Sequence, residues 1–291
     1  MNKAIIDIGS NSVRIMVSSG GKILLRSIIT TQLAKDRAEN GKLSYKSVNR
    51  TLDGIIELKK EAAMLGECSF EAFATAAVRN ASDGEDFGNL VKEKTGITVR
   101  VLSGDEESLL GITGALKGGD GCVIDVGGGS AEIAAAQNGK IIYSHSAQFG
   151  AVTLSEACPR DMRAVFDYIE QRMGEYGKLP QVKKVYGIGG TSNTLAFIGC
   201  GLEKYDREKQ SGYFISCGEL YERIKEFFAC PPEELAAKRR IDLRRASVIP
   251  FGAAIMFCCL KALCADGAIL TEDDNLDGYY LLSQGIKAYE K

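Results

Sequence analysis

The sequence predicts a duplicated α/β fold. Two observations carry that prediction: a fourteen-residue phrase occurs twice, as AIIDIGSNSVRIMV over Ala4–Val17 and CVIDVGGGSAEIAA over Cys122–Ala135, and strand patterns alternate with helix patterns along the rest of the chain. In each phrase a short apolar run ends in Asp, a small flexible loop follows, and a second apolar run begins. That pattern reads as strand, tight turn, strand. The two copies lie 118 positions apart, which fits two related lobes.

The elements follow in order. After the first hairpin, a Gly20-Gly21 turn leads into a third strand over Ile23–Ile29. Ser44 caps a helix reaching about Leu65, in which Val48, Leu52, Ile55, Ile56 and Leu58 recur at near-helical spacing. A strand over Phe70–Ala76, a helix from Ser82 to about Lys94, a strand over Ile97–Leu102 and a helix from about Asp105 to Leu116 complete the first half. The glycine-rich Lys117–Gly121 sets the expected boundary, giving domains 1–118 and 119–291. The second half repeats the hairpin and adds a third strand over Lys140–Ser144. Its expected helices are about Pro159–Tyr176, Thr191–Ile198, Cys217–Phe228, Leu243–Ala265 and Asp277–Lys287, with short strands over Lys184–Ile188 and Ala268–Leu270. The last helix is a candidate to pack back on the N-terminal domain.

Composition bounds the function. At 291 residues and 45% apolar content the chain can bury two cores of ordinary size. A net charge of −2 gives no global electrostatic case for nucleic acid or for an anionic membrane as partner. The N-terminus MNKAIIDIGSNS turns polar too early for a signal peptide. The longest apolar run, Val248–Leu260, contains Pro250 and Gly252 and falls short of the roughly 20 residues needed to span a bilayer, so it reads as a buried helix. Nine cysteines without a C-x-x-C pair read as reduced core thiols, and the expected location is the cytoplasm. The single His145 removes mechanisms that need several imidazoles, and neither G-x-S-x-G nor G-x-x-x-x-G-K-[ST] occurs.

The turns of the repeated phrase carry the chemistry. Asp7-Ile8-Gly9-Ser10-Asn11-Ser12 and Asp125-Val126-Gly127-Gly128-Gly129-Ser130 lack bulky side chains, so their N–H groups and hydroxyls could close around an anion. Taken singly, such a loop is more often a plain turn; the duplication suggests two jaws on one phosphate chain. A third segment, VYGIGGTSNTLA over Val185–Ala196, reads as strand, Gly-Gly turn, helix. Together these pieces resemble the actin, Hsp70 and sugar-kinase superfamily. The resemblance implies two ribonuclease-H-like domains with the active site in the interdomain cleft. It makes Asp7 and Asp125 the two phosphate-loop aspartates and puts Gly189, Gly190 and Thr191 on the nucleotide side.

Within that superfamily, DIGSNSVRIMV, ATAAVRNA over Ala74–Ala81, LSGDEESLL over Leu102–Leu110 and DVGGGSAEI over Asp125–Ile133 resemble the exopolyphosphatase and guanosine pentaphosphate phosphohydrolase family. FGAVTLSE and GIGGTSNTLA extend the likeness. It implies hydrolysis of a terminal phosphoanhydride of polyphosphate or of a guanosine nucleotide, by an activated water with Mg²⁺ or Mn²⁺; the near-zero net charge and Gln32, where the family usually has an arginine, favour short chains. Glu107 matches the general base, although an acidic first turn of a helix is by itself more often dipole-favourable decoration. Asp125 and Glu132 match the metal carboxylates, and Arg79 the arginine against the terminal phosphate. Gly9, Ser10, Asn11, Ser12, Arg14, Gly127, Gly128, Gly129 and Ser130 would add phosphate donors. Arg14 stands in the first copy where Glu132 stands in the second, an opposite-charge exchange expected if one hairpin binds phosphate and the other metal. The alternatives are a phosphate-binding sensor of low turnover and a kinase-like transferase; a homodimer is open. The chain departs from the family at Gln32-Leu33-Ala34, Arg245-Ala246-Ser247 and Leu276-Asp277-Gly278-Tyr279, where basic or acidic residues are usual.

Overall fold

A computed structural model describes residues 1–35 and 41–290, and the chain divides into two compact units, Met1–Gly104 and Asp105–Lys291. The first contains β1 (Asn2–Ile8), β2 (Ser12–Ser19), β3 (Lys22–Thr30), α1 (Tyr45–Ala63), β4 (Cys68–Ala74), α2 (Ala76–Arg79), α3 (Gly84–Thr95) and β5 (Val99–Val101). Its sheet runs β3-β2-β1-β4-β5, with β1, β4 and β5 parallel and β2 antiparallel to both neighbours. Ser44 caps α1 by accepting from the Ser47 N–H at 3.1 Å, and the helix buries Leu52, Ile55 and Leu58. Strand β3 is an edge strand that leaves Ile23, Leu24 and Ile28 39%, 45% and 55% exposed.

The second unit opens with α4 (Gly104–Leu116), followed by β6 (Gly121–Val126), β7 (Ala131–Gln137), β8 (Lys140–Ala147), α5 (Ala151–Ala157) and α6 (Met162–Arg172), which runs on into a 3₁₀ turn over Met173–Tyr176. Next come β9 (Val185–Ile188), α7 (Gly189–Gly199), α8 (Arg207–Gln210), β10 (Tyr213–Ser216), α9 (Cys217–Ala229), α10 (Pro232–Arg239), α11 (Leu243–Ala262), β11 (Gly267–Leu270) and α12 (Asn275–Ser283). Starting at β8, the sheet order β8-β7-β6-β9-β11 repeats the order of the first unit, and β10 is added antiparallel at the far edge. The repeat extends to detail. Each hairpin pairs its aspartate with the residue seven positions on, Asp7 with Arg14 and Asp125 with Glu132, and each outer pair carries a bulge at the equivalent place, Val17/Ser18 and Ala135/Ala136.

Helix α11 is the spine of the second core. Among the described residues it is the one helix long and apolar enough to cross a membrane, yet Ile249, Phe251, Ile255, Met256 and Leu260 are buried in the core with the surrounding helices and β6. All nine cysteines are free, and burial pushes the thiols of Cys122 and Cys258 up to about 12, so they behave as small apolar side chains. The chain end is tied down: Ile141 N–H donates to the Glu290 carbonyl at 2.7 Å and the Tyr289 hydroxyl to the Gly119 carbonyl at 2.7 Å.

The division between units falls at Gly104, fourteen residues before the expected 118, so α4 groups with the second unit. The reason is its contact with α12. The Asp274 carbonyl lies 2.2 Å from where a Cβ on Gly114 would stand, and the Leu110 carbonyl 1.9 Å from where one on Gly278 would stand. The two backbones touch with no side chain between them. The last helix therefore lies on α4, and it starts two residues earlier than the sequence suggests because Asp274 caps it, accepting from the Leu276 N–H at 2.9 Å. Two substitutions check this packing. Gly278→Ala should lower stability by about 2–3 kcal/mol through overpacking. Gly88→Ala in α3, where nothing lies within 4 Å, should raise it by up to about 1 kcal/mol through helix propensity. Denaturant midpoints at unchanged m-value measure both.

Candidate functional site

In the first unit the carboxyl ends of the parallel strands gather the candidate residues, the usual location for ligands in α/β sheets. Asp7, at the end of β1, is 2% exposed and accepts twice on Oδ2 from Arg14, from Nε at 3.0 Å and from a terminal guanidinium nitrogen. Beyond it the loop closes on itself, Gly9 N–H donating to the Ser12 carbonyl at 2.9 Å. The segment after β3 pins that loop from outside: Ala34 N–H donates to the Ser10 carbonyl, and the N–H groups of Thr31 and Gln32 to the Asn11 carbonyl, each at 2.9 Å. Gln32 takes a positive φ of 52° to do so. Thr75 N–H donates to the Ile8 carbonyl at 3.3 Å, which sets the start of α2 beside the end of β1. Arg79, at the end of that short helix, anchors Nη1 on the Leu102 carbonyl at 2.9 Å.

The second loop is built the same way. Gly127 N–H donates to the Ser130 carbonyl at 3.0 Å; the first turn of α5 pins the loop, Ala151 N–H donating to the Gly127 carbonyl at 2.8 Å and Val152 N–H to the Gly128 carbonyl at 2.9 Å. The charges differ. Asp125 faces Glu132 across the β6–β7 pair, so two carboxylates stand where the first unit has an ion pair. Glu132 is 4% exposed and accepts from the Ser146 hydroxyl at 2.7 Å. Burial raises its pKa well above the ordinary 4.5, and the charges of Glu107 and Asp125 raise it further, against hydrogen bonds from Ser130 and Ser146 that lower it. Asp125 is held on two sides. Its Oδ1 lies 2.2 Å from where a Cβ on Gly189 would stand, and Gly189 sits at φ +76°, so only glycine fits there; its Oδ2 accepts from Asn275 Nδ2 at 3.3 Å.

The second unit thus brings Glu107, Asp125, Glu132, Gly127–Ser130 and Gly189–Thr191 to one end of its sheet, and the first unit does the same for Asp7, Gly9–Ser12, Arg14 and Arg79. Three expected phosphate donors are committed inside the protein. Arg14 grips Asp7, the Ser130 hydroxyl serves Glu132, and the Thr191 hydroxyl donates to the Val126 carbonyl at 2.9 Å. Two residues outside the expected set belong here. The Arg245 guanidinium lies 2.7 Å from where a Cβ on Gly190 would stand, and Asn275 touches Asp125. Arg245 stood out in the sequence only as part of an altered motif, and Asn275 gave no signal, since 150 residues separate it from its partner.

Among the described residues no three His, Cys, Asp or Glu side chains gather closely enough to hold a metal ion. A magnesium site commonly takes one or two carboxylates and completes its shell with water and substrate oxygens. Asp125 and Glu132 meet that requirement, and two observations fit a cation beside them: the burial and neighbouring negative charge that raise Glu132, and the Asn275 Oδ1, buried without a hydrogen-bond partner among the described residues.

The molecule is thus two copies of one loop-bearing α/β unit, with its buried acidic chemistry concentrated in the second. Residues 13–274 match the Ppx/GppA phosphatase family, and the chain belongs to that family. It is 24% identical over 96% of its length to a bifunctional 3-dehydroquinate synthase/phosphatase of Fusobacterium nucleatum, of which it spans 46%. It is 23% identical over 97% of its length to Exopolyphosphatase 2 of Mycobacterium tuberculosis, covering 98% of that protein. The crystal structure of the Aquifex aeolicus member of the Ppx/GppA family superposes with a TM-score of 0.78 at 29% identity, over 98% of this chain and 97% of that one. The chain spans about half the length of the first of these relatives.

The raised carboxyl of Glu132 has a stability signature. A folded-state pKa above the unfolded value means the folded state holds the proton more tightly, so stability falls as pH rises from the ordinary carboxylate range towards the raised value. Glu132→Gln removes that dependence. In chelator, the variant should melt higher than the wild type at pH 7 and lose the advantage at pH 4, as thermal melts across that range will register.

Proposed function

We propose that the chain hydrolyses terminal phosphoanhydride bonds, of inorganic polyphosphate with short chains favoured or of a phosphorylated guanosine nucleotide. The observation that carries this reading is the contrast between the two hairpins. The first neutralises its aspartate with Arg14, whereas the second sets a half-buried Asp125 against the buried Glu132 with the buried Glu107 close by. Such an acidic cluster offers a base for water and ligands for a cation.

Glu107, 6% exposed in the first turn of α4, is the proposed general base. It would take the proton from a water as the water oxygen bonds to the terminal phosphorus and the anhydride P–O bond breaks, releasing orthophosphate and a substrate one phosphate shorter. A Mg²⁺ or Mn²⁺ ion bound by Asp125 and Glu132 would supply charge neutralisation for the phosphoryl oxygens. Arg79, steadied on the Leu102 carbonyl, would neutralise further charge on the terminal phosphate, and the loop amides of each unit would hold phosphate oxygens. Family membership supports the reaction class. The net charge of −2 and Gln32 in place of an arginine favour release of a polyanion after each cut over retention on a continuous cationic track. The nine free thiols suit a reducing compartment such as the cytoplasm.

Glu107→Gln keeps the side-chain shape and removes the base, so turnover should fall ~10²–10⁴-fold with the fold intact. A variant that keeps about a third of the wild-type phosphate release, far above that range, would refute the assignment. Incubated with Mg²⁺ and a long labelled polyphosphate, the wild type should produce a ladder of intermediates on a gel, and excess chelator should abolish it. Direct conversion to phosphate without intermediates would instead mean a processive enzyme.

A further inference from the structure

Asn275 opens α12 and is 3% exposed. Its Nδ2 donates to Asp125 Oδ2, while its Oδ1 lies 3.0 Å from where a Cβ on Gly111 would stand and has no hydrogen-bond partner among the described residues. The backbone around it is fixed to α4 by the Gly114 and Gly278 contacts. Gly111 and Gly114 stand four and seven residues after Glu107, so all three share one face of α4. Asn275 is therefore held by the helix that bears Glu107 and itself holds the carboxylate on β6.

The side chain has the right chemistry for this place. A carboxamide donates to a carboxylate without cancelling its charge, whereas a lysine or arginine would occupy Asp125 as Arg14 occupies Asp7. With Gly189 against Oδ1 and Asn275 on Oδ2, the carboxyl plane of Asp125 is set from both sides. The assignment of Asn275 oxygen and nitrogen follows from charge, since the reversed amide would turn an acceptor towards a carboxylate.

We propose that Asn275 is a positioning residue for cation binding: Nδ2 fixes the rotation of the Asp125 carboxylate, and the buried Oδ1 offers the acceptor that an ordered water beside that carboxylate needs. The proposal rests on Asp125 being a cation ligand. Groups that orient a ligand in this way affect metal affinity about 10–100-fold when removed.

The test is Mn²⁺ binding to the purified full chain without substrate, measured by electron paramagnetic resonance of the free ion, for the wild type, Asp125→Asn, Asn275→Leu and Asn275→Ser. Asn275→Leu should weaken Mn²⁺ binding by about tenfold or more, and should raise the Mg²⁺ concentration for half-maximal phosphate release by a similar factor. The KM for polyphosphate at saturating Mg²⁺ should stay within about twofold, because the substrate contacts are elsewhere. Asn275→Ser, which is smaller and keeps α12 intact, should show the same loss and decides the matter if the leucine variant does not fold. A wild type that binds Mn²⁺ through Asp125 together with an Asn275 variant of the same affinity, within about twofold, would overturn this proposal alone. Mn²⁺ binding that is absent from the wild type or indifferent to Asp125→Asn would overturn the cation reading on which it rests.

Discussion

Two carboxylates facing each other across an antiparallel strand pair repel, and the repulsion grows when both are taken out of water. The β6–β7 hairpin keeps such a pair, the half-buried Asp125 and the buried Glu132, at one end of its sheet. The surroundings of the second unit follow from that constraint. Ser130 and Ser146 donate to Glu132, Asn275 donates to Asp125, and Gly189 gives up a side chain so that the same carboxyl can lie against its backbone. The equivalent positions of the first unit show the ordinary solution, an arginine in the second place. A single charge reversal at one register position separates a hairpin closed by an ion pair from one that sets two carboxylates side by side.

The two units share the way their loops are held. In each, the first loop amide turns back on the last loop carbonyl, and carbonyls between them accept from the segment after the third strand. One unit uses a turn over residues 31–34 for this and the other the first turn of α5, so the hydrogen bonds are kept while the element that supplies them changes. Loops fixed by their carbonyls need little reordering when an anion arrives at their amides.

Much of this was legible in the sequence, because the informative signals are local. The repeated hairpins, the Ser44 cap, the third strands and the buried α11 are each encoded within a window of a few residues, by alternation, a capping side chain or an unbroken apolar run. The unit boundary was not. It depends on glycines of α4 meeting the backbone of α12, a contact across more than 150 residues that no local pattern records. The four-residue elements α2, α8 and β10 are too short to show a period, and α5 and α10, of seven and eight residues, gave no clear one. In the site, residue types in a motif pointed to Glu107, Asp125 and Glu132, three carboxylates that the second unit brings near one another. Motif reading could not tell that Arg14 and the hydroxyls of Ser130 and Thr191 would be consumed by neighbours, since that follows from register and depth.

The outer edge of the first sheet differs from its counterpart in the second. Beside β8, the chain end pairs Glu290 with Lys140 and covers part of the edge. Strand β3 has Ile23, Leu24 and Ile28 exposed along it, with Lys22 and Arg26 as the interspersed charges. An apolar strand at a sheet edge is a template for pairing with other extended chains, and its charges are what discourage such pairing. Lys22 and Arg26 are therefore the charges of β3 that oppose such pairing, and salt that screens them weakens that protection.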